Sequence, residues 1–506
     1  MPSRLEFPNR LPEEPLFLDE PRALEIIKAW SAQKSFAPGL PDPDLSDPNS
    51  QAEAFMKGVQ GNIIRPHGRR HVRLLFFEYD GSGEEFCAYL AKARSHISSA
   101  FQQWVDAKIA KFPPKDRHRP FATLSLTREG VQLVEKGKPG RRVLHQSWSN
   151  LPRFRKGMWE ERSDLGDTLD GSDWEDPLYD PTQTPLHGMW LLARESVTES
   201  CPGAENGLEN LEAKILQQAG PKLIVRRREN GMVLRDQNND AREPFGFRDG
   251  ISMPTFFKQT SVSGGLKNLP LSNVMFDRPG NHLGGSFMVY RKLRQDVEGF
   301  SDFEQNLKTQ LRNRGMDEVD PGRLLIGRYR DGQPLTGPLA THNDVGDASM
   351  NAFDFASDQA GSRCPFHAHI RKSNPRPGGA VQANSPSVRT QFVRRSAVYG
   401  WPSADWKPGQ SPAGETGLLF MAHMSDIGQQ FFNMQCNLYS SLTFPGKTGN
   451  APEPLTWANY LIKGWSWKAG MDQARIAPPD FRRFVLPKGG MYLLTPSFAW
   501  LGNPGG

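Results

Sequence analysis

The sequence has few cysteines and no long apolar run, and both absences narrow its class. Its 506 residues include four cysteines, which lie far apart and form no Cys-x-x-Cys pair. A zinc ribbon or an iron–sulfur cluster is therefore not expected, and four reduced thiols are. No window approaches the ~18 consecutive apolar residues that a membrane-spanning helix needs. The N-terminal stretch lacks the apolar segment of a secretory signal, so we expect a cytoplasmic protein that does not bind membranes.

The chain also lacks any block of charge of one sign. Its 62 basic and 56 acidic residues are interleaved, and the formal net charge is only +6. A mixed, solvated surface explains this pattern better than a nucleic-acid-binding surface does. With 37% hydrophobic and 23% charged residues, the composition is that of a soluble globular protein. The length predicts about two to four domains.

Strand and helix patterns alternate in the first half of the chain. Apolar runs predict strands over 71–81, 121–127 and 189–196, and helical spacing predicts helices over about 85–108, 128–137 and 208–218. This alternation is typical of an α+β sandwich of the ferredoxin-like kind.

The second half shows a similar order. Strands are predicted over 284–295, 417–424 and 489–496, with helices running to about 312 and over 425–438. We therefore predict an α+β fold of two ferredoxin-like sandwich domains with antiparallel sheets. Their bounds are 57–240 and 241–506, and they follow an N-terminal arm or wrapper segment over 1–56 that contains one short helix.

The segment PFGFRDGIS (244–252) places an acid between glycines. Gly246 and Gly250 flank Asp249, and glycine permits a close backbone approach and unusual dihedral angles. Such a loop can present the carboxylate of Asp249 to a cavity. Considered alone, the motif is also what an ordinary turn looks like, and that interpretation is favoured without further context.

The segment CPFHAHIRKSNPR (364–376) contains two histidines. On a strand, His367 and His369 would point to one face, where both could reach a zinc ion. No third or fourth ligand lies nearby in sequence, and two surface histidines are the simpler interpretation. One neutral imidazole is, however, enough to hold haem iron, because the porphyrin supplies the other ligands.

The segment FVRRSAVYG (392–400) contains adjacent arginines. Arg394 and Arg395 have a functional role only if one of them meets an anion or a peroxide oxygen, and two exposed arginines are the common alternative.

Together, in this order, the three segments resemble the dye-decolorizing peroxidases. The resemblance extends to the segments 59–77, 284–297, 417–431 and 486–497, runs from about residue 57 to the C-terminus, and is closest to the larger branch of the family. It implies a haem b cofactor held in a pocket of the two-domain fold. It also implies a peroxidase that reduces hydrogen peroxide and oxidises bulky organic donors, such as dyes and phenols, in one-electron steps.

The resemblance assigns roles to individual residues. Asp249 matches the distal acid, Arg394 the distal arginine, and His369 the axial ligand of the haem iron; His367 and Arg395 do not match. Leu418 and Phe420 match apolar residues of the distal pocket, and Gly246 and Gly250 belong to the loop beside the cofactor. Glu453 matches, in a loosely aligned region, the carboxylate that hydrogen-bonds the axial histidine.

The sequence departs from the family's pattern in three places. Met253-Pro254 and Ser396-Ala397-Val398 replace more typical residues, and the insertion 148–186 has no counterpart. These differences concern the channel and the substrate more than the haem site.

Three other functions stay open. The same fold also serves haem carriers and proteins that release iron from haem. A cofactor-free binding protein on a related sandwich is the second alternative. A zinc hydrolase that uses His367 and His369 is the third, and unlike a haem protein neither of these last two would be coloured.

Overall fold

The computed structural model describes most of the chain outside its first 50 residues. The described residues are 51–109, 120–138, 151–167, 174–175, 177–195, 207–254, 256, 269–275, 284–313, 320–336, 350–351, 353–376, 389–401, 412, 414–445, 452–457, 467–468, 475–476 and 484–504. The predicted N-terminal helix over 21–33 and parts of the insertion 148–186 lie outside them.

One antiparallel sheet dominates the fold. In chain order the strands are β1 His71–Tyr79, β2 Phe121–Leu126, β3 Gly188–Arg194, β4 Leu223–Met232, β5 Leu234–Arg235, β6 Ala241–Arg242, β7 Ser286–Gln295, β8 Val393–Arg394, β9 Ala397–Tyr399, β10 Gly417–Met424, β11 Trp467–Lys468, β12 Arg475–Ile476 and β13 Val485–Thr495. The sheet order is β7-β13-β2-β3-β1-β4-β9-β10-β8, and β7 also pairs with β10. This last pairing closes the sheet into a barrel. The pairs β5-β6 and β11-β12 lie apart from it.

The barrel consists of two similar halves. In the first half the neighbours run β4-β1-β3-β2, and in the second they run β13-β7-β10 and then β8 and β9, which lie along the same edge of β10. This is the strand order of the ferredoxin-like fold. The halves meet where β13 pairs with β2 at Leu494 and Leu126, and where β4 pairs with β9 at Met232 and Val398. The predicted pair of ferredoxin-like α+β units is confirmed.

Helices cover the barrel and connect its strands. They span Gln51–Gly58, Gly83–Ala93, Ala100–Ile109, Arg128–Gly137, Leu151–Lys156, Met158–Glu161, Gly207–Ala219, Val297–Arg312, Arg323–Ile326, His369–Ser373 and Phe498–Gly502, with a π-helix over Gly428–Leu438. Their first turns follow sequence rules. Ser82 and Glu85 form a reciprocal capping box, and Thr127 and Asp296 accept hydrogen bonds from the amides of Gly130 and Gly299.

The prediction of a single helix over about 85–108 is wrong, because this segment forms two helices, Gly83–Ala93 and Ala100–Ile109. A 3₁₀ turn at Arg94–His96 ends the first helix, and Ile97 then adopts an extended conformation before the second begins at Ala100. In this extended break, Ser98 donates its amide to Ala122 O, so the break joins the chain to β2. An apolar periodicity that continues across such a break gives no sign of it.

The N-terminal part of the described chain packs on the first half. The helix Gln51–Gly58 spans the predicted bound at residue 56 and buries Phe55 and Met56 in a core shared with Trp104. The predicted domain bounds stay a prediction. Among the described residues, no helix is both long and apolar enough to cross a membrane.

Candidate active site

A histidine and a buried carboxylate form one side of the site. His369 begins the short helix His369–Ser373, and its Nδ1 lies 3.3 Å from Glu453 Oε1. The carboxylate is fully buried and also accepts hydrogen bonds from the Thr456 amide at 2.7 Å and the Thr456 hydroxyl at 2.6 Å. Burial alone would raise its pKa, but His369 and Thr456 hold the pKa of Glu453 below its ordinary value. Glu453 is therefore ionised at neutral pH and fixes the imidazole.

The two histidines of the 364–376 segment are separated by their surroundings. His367 is buried, and desolvation together with the charge of Lys372 holds its pKa far below the ordinary value. His369 keeps about a quarter of its side chain exposed. The segment turns into a helix at His369, so the strand geometry that would put both imidazoles on one face does not occur. No group of three or more possible metal-binding side chains occurs among the described residues, which gives the zinc alternative no support.

An acid and an arginine form a second pair. Asp249 Oδ1 lies 3.9 Å from Arg394 Nη2, and the two side chains are 40% and 36% exposed. Gly246 and Gly250 adopt φ angles of 91° and 81°, a region that favours glycine, and a Cβ built on Gly250 would meet only open space. The loop therefore presents Asp249 to an open volume beside Arg394.

The adjacent residues Arg394 and Arg395 differ in burial, since Arg394 is partly exposed and Arg395 is buried. Arg395 is buried, donates to the carbonyls of Asn62 and Ile63, and contacts Met253 Sδ at 3.8 Å. Burial lowers the pKa of Arg395 to about 9. Arg394 is the arginine left free to meet a ligand.

Apolar side chains share the sheet face of Arg394. Arg394 pairs with Ala422 on β10, and Leu418 and Phe420 precede Ala422 by four and two residues, so all four point to the same side. Leu418 and Phe420 are only partly buried, although their neighbours Leu419 and Met421 are fully buried. A half-open apolar face beside an arginine is suited to a large, flat, mostly apolar group.

These residues fit a haem. With Nδ1 of His369 directed to a carboxylate, Nε2 is the nitrogen that can bind iron, which is the usual arrangement of a metal-binding histidine. Phe420 and Leu418 supply an apolar wall. The donor set of one imidazole, without further metal-binding side chains, suits an iron whose other ligands come from a porphyrin.

Two residues near His369 were missed from the sequence. The Tyr439 ring lies 5.5 Å from the imidazole, and its hydroxyl is 2.9 Å from Ser373 Oγ. Lys372 Nζ donates to Leu438 O at 3.3 Å and Ser441 O at 2.6 Å. Both contacts tie the His369 helix to the end of the π-helix. The pattern of Lys372 and Tyr439 in sequence gives no sign of these contacts, which join residues 66 to 69 positions apart.

Comparison with known proteins gives one consistent family. No protein-family model matches the chain. The multifunctional dye peroxidase DyP2 of an Amycolatopsis species is 28% identical over 475 residues, which cover 89% of this chain and 96% of the relative. A DyP-type peroxidase of Anabaena has a solved structure with a TM-score of 0.74 and 27% identity, and the match covers 96% of this chain and all of that one. A deferrochelatase of Yersinia pestis is 27% identical over only 38% of this chain and 35% of its own length.

The match to the Anabaena structure thus agrees with the two-unit α+β fold described above. Over most of its length the chain is therefore similar to proteins named dye peroxidases or DyP-type peroxidases.

Proposed function

We propose that this protein is a haem b peroxidase in which His369 holds the iron, while Asp249 and Arg394 act on hydrogen peroxide. The observation that carries the proposal is the Asp249–Arg394 pair, in which a partly exposed carboxylate lies 3.9 Å from a partly exposed guanidinium. The relatives that match most of the chain are named peroxidases.

On one side of the haem, Glu453 accepts the Nδ1 proton of His369. This fixes the imidazole tautomer and makes Nε2 a stronger electron donor. Leu418 and Phe420 exclude water from the apolar edge of the cofactor, and Gly246 and Gly250 let the Asp249 loop approach it closely.

Asp249 handles the proton of the peroxide. Its carboxylate takes the proton from one peroxide oxygen and returns it to the other, which leaves as water. The guanidinium of Arg394 stabilises the negative charge that develops while the O–O bond breaks. When bound, the haem would supply the redox chemistry: it would accept the two oxidising equivalents of the peroxide and pass them to donors one electron at a time.

The donors we propose are bulky organic molecules, including dyes and phenols. A dye-decolorizing peroxidase of the same fold has been solved with 2,6-dimethoxyphenol bound. The alternative of a haem carrier or an iron-releasing protein is less well supported, because the deferrochelatase match covers about a third of the chain. A cytoplasmic location, without membrane or nucleic-acid partners, stays a prediction.

The proposal is tested by stopped-flow measurement of the haem absorbance after peroxide is mixed with the reconstituted protein. We expect Asp249→Asn to lower the second-order rate constant by about 10²- to 10⁴-fold. Arg394→Leu should lower it by about 10²- to 10³-fold. Asp80→Asn, which removes an exposed carboxylate far from the site in sequence, is the matched control and should react as wild type does. Wild-type rates in both site variants would refute the assignment of this pair.

A further inference from the structure

The Asp249 carboxylate has little support of its own. Its Oδ1 accepts a hydrogen bond from the adjacent Gly250 amide at 2.7 Å, and Arg394 lies at 3.9 Å. Across the described residues, no other side chain is seen to hydrogen-bond this carboxylate. Its position is therefore set by the backbone of its loop, and whatever holds the loop also holds the acid.

The chain that enters the loop is held by a half-buried acid, Glu243. Glu243 accepts hydrogen bonds from the amides of Phe245 and Phe247 at 3.0 and 2.9 Å. The Arg248 amide donates to Arg330 O at 3.1 Å, and the Asp249 amide donates to Ala241 O at 2.8 Å. These bonds fix the backbone up to Asp249 but not beyond it.

The chain that leaves the loop is held by side chains far away in sequence. Asn351 donates its amide to Ile251 O at 2.5 Å and accepts from the Ser252 hydroxyl at 3.0 Å. Arg328 Nη2 donates to Ser252 Oγ at 2.9 Å and to Asn351 Oδ1 at 3.2 Å. Ile251 and Ser252 follow Asp249 by two and three residues. Both are therefore held by one hydrogen-bond network that Arg328 and Asn351 form. Its two anchors are buried, with Arg328 6% and Asn351 1% exposed.

Arg328 is itself rigidly placed. Nη1 donates to Gly332 O at 2.7 Å and Met350 O at 3.0 Å, and the guanidinium lies 5.2 Å from the centre of the Phe353 ring. All of these partners are neutral. Burying a cation among neutral groups costs folding free energy, and apolar packing of similar volume would avoid that cost. Ordering of the loop accounts for Arg328 better than a contribution to stability does.

We propose that Arg328 and Asn351 are positioning residues for the peroxide reaction. By holding Ile251 and Ser252, they keep the Asp249 carboxylate beside Arg394, where it can exchange a proton with the peroxide. This inference rests on the proposed function, because it takes Asp249 as the group that moves the proton.

The test uses Ser252, which is exposed and can be changed without opening the core. Ser252→Ala removes the hydroxyl that Arg328 and Asn351 bind, whereas Ser252→Thr keeps it. We expect Ser252→Ala and Arg328→Lys to lower the rate constant with peroxide by at least about tenfold, since sub-ångström placement governs such steps. Ser252→Thr should restore a rate within about twofold of wild type, because the hydroxyl network re-forms.

A second readout does not depend on activity. Hydrogen–deuterium exchange of the haem-free protein should be faster over residues 249–253 in Ser252→Ala and Arg328→Lys, and unchanged in Ser252→Thr. Arg69→Lys is the matched control, because Arg69 is equally buried but bonds Asp106 and the His67 carbonyl instead of the loop. It should change neither readout.

Two outcomes would overturn the proposal: a wild-type peroxide rate in both Ser252→Ala and Arg328→Lys, or a Ser252→Thr variant as slow as Ser252→Ala. If the wild-type protein does not react with peroxide, the proposed function fails and the exchange measurement still decides the anchoring. Faster exchange would then support it, and unchanged exchange would overturn it.

Discussion

Glu453 is the buried partner of His369, the proposed iron ligand. The sequence predicts His369, Asp249 and Arg394 as site residues because each lies in a distinctive local segment. Glu453 is only loosely indicated, because its partner lies 84 residues away. The network of Arg328 and Asn351 has no local signal, since its contacts with the Asp249 loop span 76 and 100 residues. Local sequence patterns therefore indicate candidate residues within one segment, but they give no sign of contacts between segments far apart in the chain.

The first prediction concerns Glu453→Gln, which keeps the volume and an acceptor but removes the charge. The reduction potential of the haem iron should rise, because the imidazole becomes a weaker donor, and haem affinity or activity should fall by about 10- to 100-fold. Spectroelectrochemistry and haem titration measure the two effects. Glu84→Gln, which removes an exposed carboxylate, serves as the control. An unchanged potential in Glu453→Gln would show that the carboxylate does not tune the ligand.

Single elements were predicted well where their apolar pattern is unbroken. The strands predicted over 121–127 and 284–295 correspond to β2 and β7, and the helix predicted over 128–137 is observed with these bounds. The strand β4 was not predicted. Its sequence LIVRRRENGM contains a run of four charged residues, 226–229, and Arg226 pairs with Glu78 of the neighbouring strand β1. The run of polar residues gives no strand pattern in the sequence, although the segment pairs with β1 as a strand in the structure.

Helix packing gives the second prediction. The helices Gly83–Ala93 and Arg128–Gly137 touch through glycines, and a Cβ on Gly83 would lie 2.2 Å from the backbone nitrogen of Gly137. Because backbone cannot move aside as a side chain can, Gly83→Ala should destabilise the fold by about 1–3 kcal/mol. Urea unfolding of the haem-free protein measures this. Gly414→Ala, where a Cβ meets open space, is the control, and equal stability of the two variants would contradict the predicted contact.

At the scale of the described molecule, one sheet with two ferredoxin-like halves closes into a barrel. Alternating strand and helix patterns predicted both ferredoxin-like units, but nothing local in the sequence shows that β4 meets β9 and β13 meets β2. The two halves of the barrel are joined by the pairs Leu494–Leu126 and Met232–Val398, whose members lie far apart in the chain. The segments of Asp249 and His369 share one cluster of buried apolar residues, to which Phe247 and Ala368 belong.

The third prediction concerns the free energy of unfolding at acidic pH. Buried histidines such as His423 and His67 contribute to its pH dependence. Burial, then the charge of Arg395, lowers the pKa of His423 to about 3, and burial followed by Arg69 and Arg395 lowers that of His67 to about 3 as well. The folded state therefore binds fewer protons than the unfolded chain between the ordinary value of 6.5 and about 3. Stability is fully present above pH 6.5 and is lost as pH falls through this window.

Urea unfolding of the haem-free protein at pH 7 and pH 5 measures the loss. His423→Gln, which cannot take up a proton in this range, should lose less stability than wild type between the two pH values. An equal loss in variant and wild type would show that His423 does not contribute to the acid sensitivity.

The most direct test of the central claim is the absorbance spectrum of the haem-reconstituted protein, recorded before and after addition of hydrogen peroxide, for wild type and His369→Ala. We predict a Soret band that shifts on peroxide addition in wild type and is weakened or displaced in His369→Ala, because the variant lacks the imidazole that binds the iron. A band that peroxide leaves unchanged would contradict the peroxidase function, and a variant spectrum identical to wild type would contradict the assignment of His369.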